Sequence, residues 1–92
     1  MQLLKFYADW CGPCRVMKPV VEKLAHKHQI PVTEINIDEE DHRSLIKYYG
    51  VASIPTLILA REDGREVARF TGANTLARIE AGLNLTSDDD VI

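Results

Sequence analysis

The chain contains only two cysteines, Cys11 and Cys14, and they stand where an apolar, strand-like segment changes into a helical pattern. Backbone N–H groups in the first turn of a helix lack partners and therefore favour an anion. We expect the pKa of the Cys11 thiol to lie below the roughly 8.5 of a free thiol. The spacing lets Cys14 reach back to close a disulfide, and Pro13 stiffens the intervening loop. The pattern predicts a nucleophilic thiol with its own resolving thiol.

A zinc site is the first alternative for a pair of cysteines. His26 and His28 follow Cys14 after 11 intervening residues, with a single residue between them. A zinc finger asks for about 12–15 intervening residues and then 3–5 between its histidines. The histidines would also lie near 20 Å away, at the far end of the same helix, given a rise of about 1.5 Å per residue. We therefore expect redox chemistry and no metal, with an inert remnant of such a centre as the remaining alternative; His26, His28 and His42 are expected to be solvated.

The hydrophobic pattern predicts an alternation of strands and helices. We expect strands at 3–8, 32–37, 56–60 and 66–71, and helices at 12–29, from the acidic run 38–41 to Gly50, and from Asn74 or Thr75 onward. In the first helix, Val16, Val20 and Leu24 recur every four residues, and Met17, Val21 and Ala25 lie beside them, so we expect one apolar stripe. A crossover helix makes the first two strands parallel, and the Asp63-Gly64 turn makes the last two antiparallel. The order β-α-β-α-β-β-α predicts an α/β fold.

The charge distribution excludes several function classes. The net charge is −3, but Asp88, Asp89 and Asp90 account for all of it, so there is no basic surface for nucleic acid or for a membrane. No apolar run approaches the ~20 residues of a membrane span. Met1 is followed directly by strand-like residues rather than by a leader, so we expect a cytoplasmic protein. We predict one domain at 1–85 and an acidic, flexible tail at 86–92.

Several motifs together carry a resemblance to a known family. The segment Trp10-Cys11-Gly12-Pro13-Cys14 follows Phe6-Tyr7-Ala8-Asp9, and Ile54-Pro55-Thr56, Asp63-Gly64 and Gly72 come later at matching places. In these motifs the chain resembles thioredoxins over about residues 3–85. The resemblance implies a minimal thioredoxin fold, in which a four-stranded mixed sheet of order 2-1-3-4 is flanked by three helices. Thioredoxins ordinarily begin with a further strand and helix, so the resemblance is to a shortened form.

The resemblance also implies an activity, namely the reduction of protein disulfides. Cys11 would attack a substrate disulfide to form a mixed disulfide, and Cys14 would then release the reduced substrate. A thioredoxin reductase drawing on NADPH would restore the dithiol, so the chain itself would bind no cofactor and would work as a monomer. Trp10, Gly12 and Pro13 would form the active-site loop. The residues implied to bind substrate surround a cis peptide bond before Pro55; they are Trp10, Ser53, Ile54, Pro55, Gly72 and Ala73.

Lys5 and Glu34 depart from the family pattern. Thioredoxins usually carry a buried aspartate at the first position, where it helps to remove the proton of the resolving cysteine, and a lysine on the neighbouring strand. Here the two charges are exchanged. We expect Lys5 and Glu34 to form an ion pair in which Glu34 becomes the proton acceptor, because a lone buried lysine is costly. The alternative is that Lys5 extends along the sheet edge to water.

Two other functions compete with the disulfide reductase. The chain could be a binding subunit with a thioredoxin fold and incidental redox activity, in which case replacing Cys11 by serine would leave its function intact. It could also be a glutaredoxin-like enzyme recharged by glutathione, although such enzymes commonly carry Cys-Pro-Tyr-Cys instead of the Cys-Gly-Pro-Cys found here. Recycling by glutathione or by thioredoxin reductase distinguishes the two enzymes.

Overall fold

The computed structural model describes residues 1–85, and the predicted acidic tail at 86–92 lies outside this range. Four strands and three helices alternate along the chain, with a short 3-10 turn before the second helix. Their bounds are β1 Gln2–Tyr7, α1 Gly12–His28, β2 Val32–Asn36, the 3-10 turn Glu40–His42, α2 Arg43–Tyr49, β3 Thr56–Ala60, β4 Glu66–Thr71 and α3 Leu76–Gly82. Each element predicted from the sequence is present, and the ends differ by a few residues at most.

The four strands form one mixed sheet of order β2-β1-β3-β4. β1 pairs in parallel with β2, placing Lys5 beside Glu34, and pairs in antiparallel with β3. β3 and β4 form the predicted antiparallel hairpin, whose turn brings the Gly64 N–H to the Arg61 carbonyl oxygen at 2.9 Å. Gly64 has a φ of +90°, which glycine adopts without a steric penalty. The fold expected from the sequence, with its strand order and three helices, is confirmed.

Alternation along the two central strands gives the sheet an apolar layer on each face. On one face Leu3 and Leu57 pack with the buried side chains of α1 and α3, namely Met17, Val21, Leu24, Ile79 and Leu83. On the other face Phe6 and Ile58 pack with Tyr49 of α2. The sheet therefore lies between α2 on one side and the α1–α3 pair on the other, and the chain leaves the end of β1 directly into α1.

The buried face of α1 contains Met17, Val21 and Leu24 of the predicted stripe, but the prediction is wrong for Val16. The core-facing side chains are Cys14, Met17, Val21 and Leu24, whereas Val16 is 67% exposed. At about 100° per residue, Val16 lies roughly 200° around the helix from Cys14. The cysteine therefore fixes the rotation of the first turn and directs Val16 to water. The predicted ends of the other helices are confirmed: Gly50 caps α2 in the left-handed conformation, and the Thr75 side chain caps α3.

Candidate active site

Cys11 and Cys14 form a disulfide at the start of α1. Cys11 occupies the N-cap position, with extended backbone angles, and its Sγ accepts a hydrogen bond from the Cys14 N–H at 3.1 Å. This N–H is one of the groups that a helix leaves unpaired at its first turn. The same donor stabilises a thiolate on Cys11 once the disulfide is reduced, because hydrogen bonds to charged acceptors are stronger.

Both sulfurs belong to one small buried cluster. The residue exposure is 5% for Cys11 and 3% for Cys14, and Ala8 completes the cluster. Ile37 and Ile54 pack against it from two different loops. From the position of Cys11 at the open end of α1 we also predict that, in the reduced protein, Cys11 is the exposed thiol and Cys14 the shielded one. In the oxidised protein the disulfide bond holds the two sulfurs together, so Cys11 and Cys14 are exposed to nearly the same small extent.

Trp10 directly precedes this cluster and lies on the surface. Its side chain is 66% exposed, and its indole Nε1–H donates to Asp38 Oδ2 at 2.8 Å. The sequence prediction of a solvent-facing indole is confirmed, but Asp38 was not identified as its partner. The predicted topology could have indicated this contact, because β1 and β2 are parallel and the residues that follow them lie at the same edge of the sheet. Asp38 thereby fixes the orientation of an otherwise free indole.

The peptide bond between Ile54 and Pro55 is cis, as the resemblance to thioredoxins implied. The Pro55 carbonyl oxygen accepts a hydrogen bond from the Gly72 N–H at 2.8 Å, so the segment before β3 and the segment after β4 lie together. Ile54 packs against the cysteine cluster, which brings this loop to the disulfide. Ala73 is exposed next to Gly72, whose φ of +91° favours glycine.

An apolar groove lies between Trp10 and this loop. Its volume is about 360 Å³, and it is lined by Trp10, Ile37, Ile46, Val51, Ala52, Ser53 and Ile54. Of the residues predicted to bind substrate, Trp10, Ser53 and Ile54 line the groove directly. Pro55 is buried behind it, and Gly72 is joined to Pro55 through the backbone. The sequence did not predict the other apolar residues of the groove as site residues. They are Ile37, Ile46 and Val51, which follow β2, lie in α2 and precede β3, and no local pattern shows that these three segments meet.

Lys5 and Glu34 form the predicted ion pair. Lys5 Nζ lies 3.5 Å from Glu34 Oε1, with side-chain exposures of 5% and 51% respectively. The ammonium also lies 5.4 Å from the centre of the Tyr7 ring. Lys5 therefore does not extend to water, and that alternative is wrong. The carboxylate, however, is half exposed, because β2 is an edge strand of the described sheet and leaves Glu34 open on one side.

A cavity of about 230 Å³ lies beside the disulfide, between β1, β2 and the start of α1. It is lined by Lys5, Tyr7, Ala8, Asp9, Cys14, Arg15, Lys18 and Glu34. Chiefly burial, and then the negative charge of Glu34, raise the pKa of the Tyr7 phenol above its usual value of 10.0. Tyr7 is therefore neutral at neutral pH and leaves the carboxylates as the bases of this cavity. Arg15, Lys18 and Asp9 were not predicted to belong to the site.

Within residues 1–85 there is no group of three or more His, Cys, Asp or Glu side chains placed to hold a metal ion. Among the helices of that same range, none is long and apolar enough to cross a membrane. The histidine expectation was wrong for His28, whose side chain is 10% exposed and lies 2.6 Å from a Glu80 carboxylate oxygen. In the last turn of α1, the His28 side chain faces α3 and not the solvent, which the helical pattern alone did not show.

Comparison with known proteins agrees with this geometry. The family model described as Thioredoxin matches residues 1–85. A thioredoxin from Chlamydia caviae is 48% identical over 71 residues, which cover 76% of this chain and 67% of that protein.

Solved structures show the same likeness. A mutant thioredoxin from Halobacterium salinarum NRC-1 superposes with a TM-score of 0.71 at 40% identity, covering 91% of this chain and 75% of the other. Thioredoxin 1 from Thermosipho africanus superposes with a TM-score of 0.75, and the match covers 91% of each chain. At 23% identity the latter is a likeness of fold alone.

Proposed function

This chain belongs to the thioredoxin family of thiol–disulfide oxidoreductases, and from that premise we propose that it reduces disulfides in other proteins, with Cys11 as nucleophile and Cys14 as resolving thiol. The observation that carries the proposal is the disulfide at the start of α1, in which Cys11 is the N-cap and accepts the Cys14 N–H. A thiolate at that position is stabilised by the helix terminus, and the partner thiol is already within bonding distance.

The proposed cycle transfers two electrons from the dithiol to the substrate. The Cys11 thiolate attacks one sulfur of the substrate disulfide, forms a Cys11–substrate mixed disulfide and expels the other substrate sulfur as a thiolate. Cys14 loses its proton and attacks Cys11 Sγ. The Cys11–Cys14 bond forms, the bond to the substrate breaks, and the second substrate sulfur leaves as a thiolate. The substrate is reduced and the protein is oxidised.

Glu34 is the proposed acceptor for the Cys14 proton. Both residues line the same cavity, so the proton moves from the thiol to the carboxylate directly or through water in that space. The ion pair with Lys5 holds the carboxylate at the edge of this cavity. The half exposure of Glu34 supports this role, because the carboxylate can afterwards release the proton to solvent.

The proposed substrate surface is the groove beside the disulfide, together with the backbone around the cis proline. An extended substrate segment would pair with the backbone of Ile54, while its side chains contact Trp10 and Ser53. Pro55, Gly72 and Ala73 form the other wall of this surface in the proposal. The backbone hydrogen bond between Pro55 and Gly72 supports it, because it holds the second segment next to the loop that packs against the disulfide.

The family implies a reductase partner in general terms. As the finer part of the proposal, a thioredoxin reductase restores the dithiol with electrons from NADPH, and the protein itself holds no cofactor. It works as a monomer in the cytoplasm, where thiol proteins are kept reduced.

Two single substitutions test the proposed roles. Cys11→Ser should abolish turnover of a protein disulfide such as those of insulin, because no nucleophile remains. Cys14→Ser should form a mixed disulfide with the substrate and stop there, so that a protein–substrate adduct appears by mass spectrometry under non-reducing conditions. Retained biological function in Cys11→Ser would favour the binding subunit instead. Recycling by glutathione alone, with no acceleration by thioredoxin reductase and NADPH, would favour the glutaredoxin-like enzyme.

A further inference from the structure

The cavity beside Cys14 carries more positive than negative side chains. Three cations line it, namely Lys5, Arg15 and Lys18, against the carboxylates of Asp9 and Glu34. Tyr7, the remaining titratable group on this side, is a neutral phenol because burial raises its pKa. The loop that packs against the cysteines from the other side contributes Ile54, which has no charge. Cys14 therefore faces a mainly cationic space.

Lys5 is the cation with the greatest effect on this space. It is 5% exposed, whereas Arg15 and Lys18 are exposed residues at the cavity mouth. A charge shielded from water acts through a lower effective dielectric, and exposed charges are weakened by water and salt. The same reasoning applies to Glu34, since its half-exposed carboxylate cancels only part of the field of Lys5.

We propose that the Lys5 ammonium stabilises the thiolate of Cys14, lowers the pKa of this thiol and so speeds the resolution step. Lys5 acts here through space on the attacking sulfur, in addition to any effect on Glu34. The inference rests on the proposed function, because it takes Cys14 to be the resolving thiol. Stabilisation of the Cys14 thiolate by Lys5 is thus a separate role from the acceptance of the proton by Glu34.

The charges balance as follows during resolution. The proton of the Cys14 thiol moves to Glu34 or to water in the cavity, and Lys5 takes no part in this proton transfer. The negative charge appears first on Cys14 Sγ, in the cavity that Lys5 also lines, and ends on the departing substrate sulfur once the Cys11–Cys14 bond has formed. Stabilising the first of these charges raises the fraction of molecules able to attack at neutral pH.

Lys5→Met tests the inference, because methionine fills a similar volume without a charge. The reduced protein is mixed with dithiodipyridine, an uncharged disulfide whose first thiol leaves when Cys11 reacts and whose second leaves when Cys14 resolves. The rate of the second release is measured against pH. We expect Lys5→Met to raise the pKa of the Cys14 thiol by about one unit. A tenfold smaller thiolate fraction, partly offset by a more nucleophilic thiolate, slows the second release at neutral pH by about threefold.

The pH profile separates an electrostatic effect from a structural one. The rate of the second release in the parent, divided by that in Lys5→Met, should fall as the pH rises toward the pKa of the Cys14 thiol. Damaged packing would instead slow resolution by the same factor at every pH. Lys5→Arg should keep the parental profile because it keeps the charge. Lys23→Met is the matched control: it removes an exposed lysine from α1 at a point beyond the cavity lining, and it should leave the profile unchanged.

The Glu34→Gln background shows whether Lys5 acts only by way of the carboxylate. If the inference holds, adding Lys5→Met to Glu34→Gln still raises the pKa of the Cys14 thiol. An unchanged pKa in that background, a rate ratio independent of pH, or a Lys5→Arg variant as slow as Lys5→Met would each overturn it. Lys5→Gln repeats the comparison if Lys5→Met folds poorly. A parent protein that never releases the second thiol would contradict the proposed function itself, and that result does not depend on Lys5.

Discussion

Two carboxylates form ion pairs at opposite ends of α1, and their surroundings differ. Near the start of the helix, Glu34 Oε1 lies 3.5 Å from Lys5 Nζ, and the carboxylate is half exposed. Near its end, Glu80 of α3 is buried, and its Oε2 lies 2.9 Å from Lys27 Nζ and 2.6 Å from His28 Nε2. At the first site the cation is buried and the acid is open; at the second the acid itself is buried.

This difference indicates which pair holds the fold and which can take part in chemistry. Chiefly the hydrogen bond from Lys27, and also that from His28, lower the pKa of the Glu80 carboxyl, although burial opposes them. A buried carboxylate with two close donors is fixed in place and joins the end of α1 to α3. The more distant pair at Glu34 opens onto a cavity, so its carboxylate can exchange a proton with solvent. We expect Glu80 to affect stability and Glu34 to affect rate.

Glu80→Gln should give the largest change in stability. The amide cannot satisfy the charge of Lys27, and it leaves the mostly buried His28 with a weaker partner, at a cost of about 2 kcal/mol. The free energy of unfolding is measured with urea. Glu22→Gln, an exposed glutamate on α1, is the control for loss of one negative charge. Equal stability of Glu80→Gln and Glu22→Gln would contradict the structural role of Glu80.

The contribution of Glu80 should depend on pH in one direction. Its folded pKa lies below the ordinary 4.5, so its stabilisation is fully present above that value and is lost as the pH falls through the folded pKa. The difference in unfolding free energy between parent and Glu80→Gln should therefore narrow as the pH falls below about 4.5. The Glu66 carboxyl also has a lowered pKa, but it is present in both proteins and cancels. A difference in unfolding free energy that does not change with pH would show that the charge of Glu80 does not contribute to stability.

Glu34→Gln should change the free energy of unfolding less than Glu80→Gln, by about 1 kcal/mol. The lost carboxylate is half exposed, so solvent weakens its attraction, but the buried ammonium of Lys5 is left without its charged partner. An entirely buried pair would instead cost about 3–5 kcal/mol when broken. The same substitution should slow the release of substrate by Cys14 by roughly tenfold, less than a positioned base usually contributes, because water in the open cavity competes. Glu80→Gln, measured in parallel, should leave this rate unchanged. A slower release in Glu80→Gln, or a larger loss of stability in Glu34→Gln than in Glu80→Gln, would contradict the division of roles between the two carboxylates.

Local sequence patterns predicted the elements and the reactive pair well, for a physical reason. Strand alternation, helix caps such as Thr75, and the position of Cys11 before a helix all depend on neighbouring residues. The same patterns were wrong for Val16 and for His28. A helical stripe shows that one face is apolar, but the rotation of the helix on the sheet depends on the residues it packs against.

The sequence by itself determined that two thiols meet at a helix start and that the chain forms a minimal thioredoxin fold. Only the tertiary structure decided which distant groups face those thiols. Three features each join segments that are far apart in the chain: the hydrogen bond from Trp10 to Asp38, the ion pair of Glu80 with Lys27, and the cationic cavity around Lys5. Electrostatic effects depend on distance and burial, and both are set by packing and not by the order of residues.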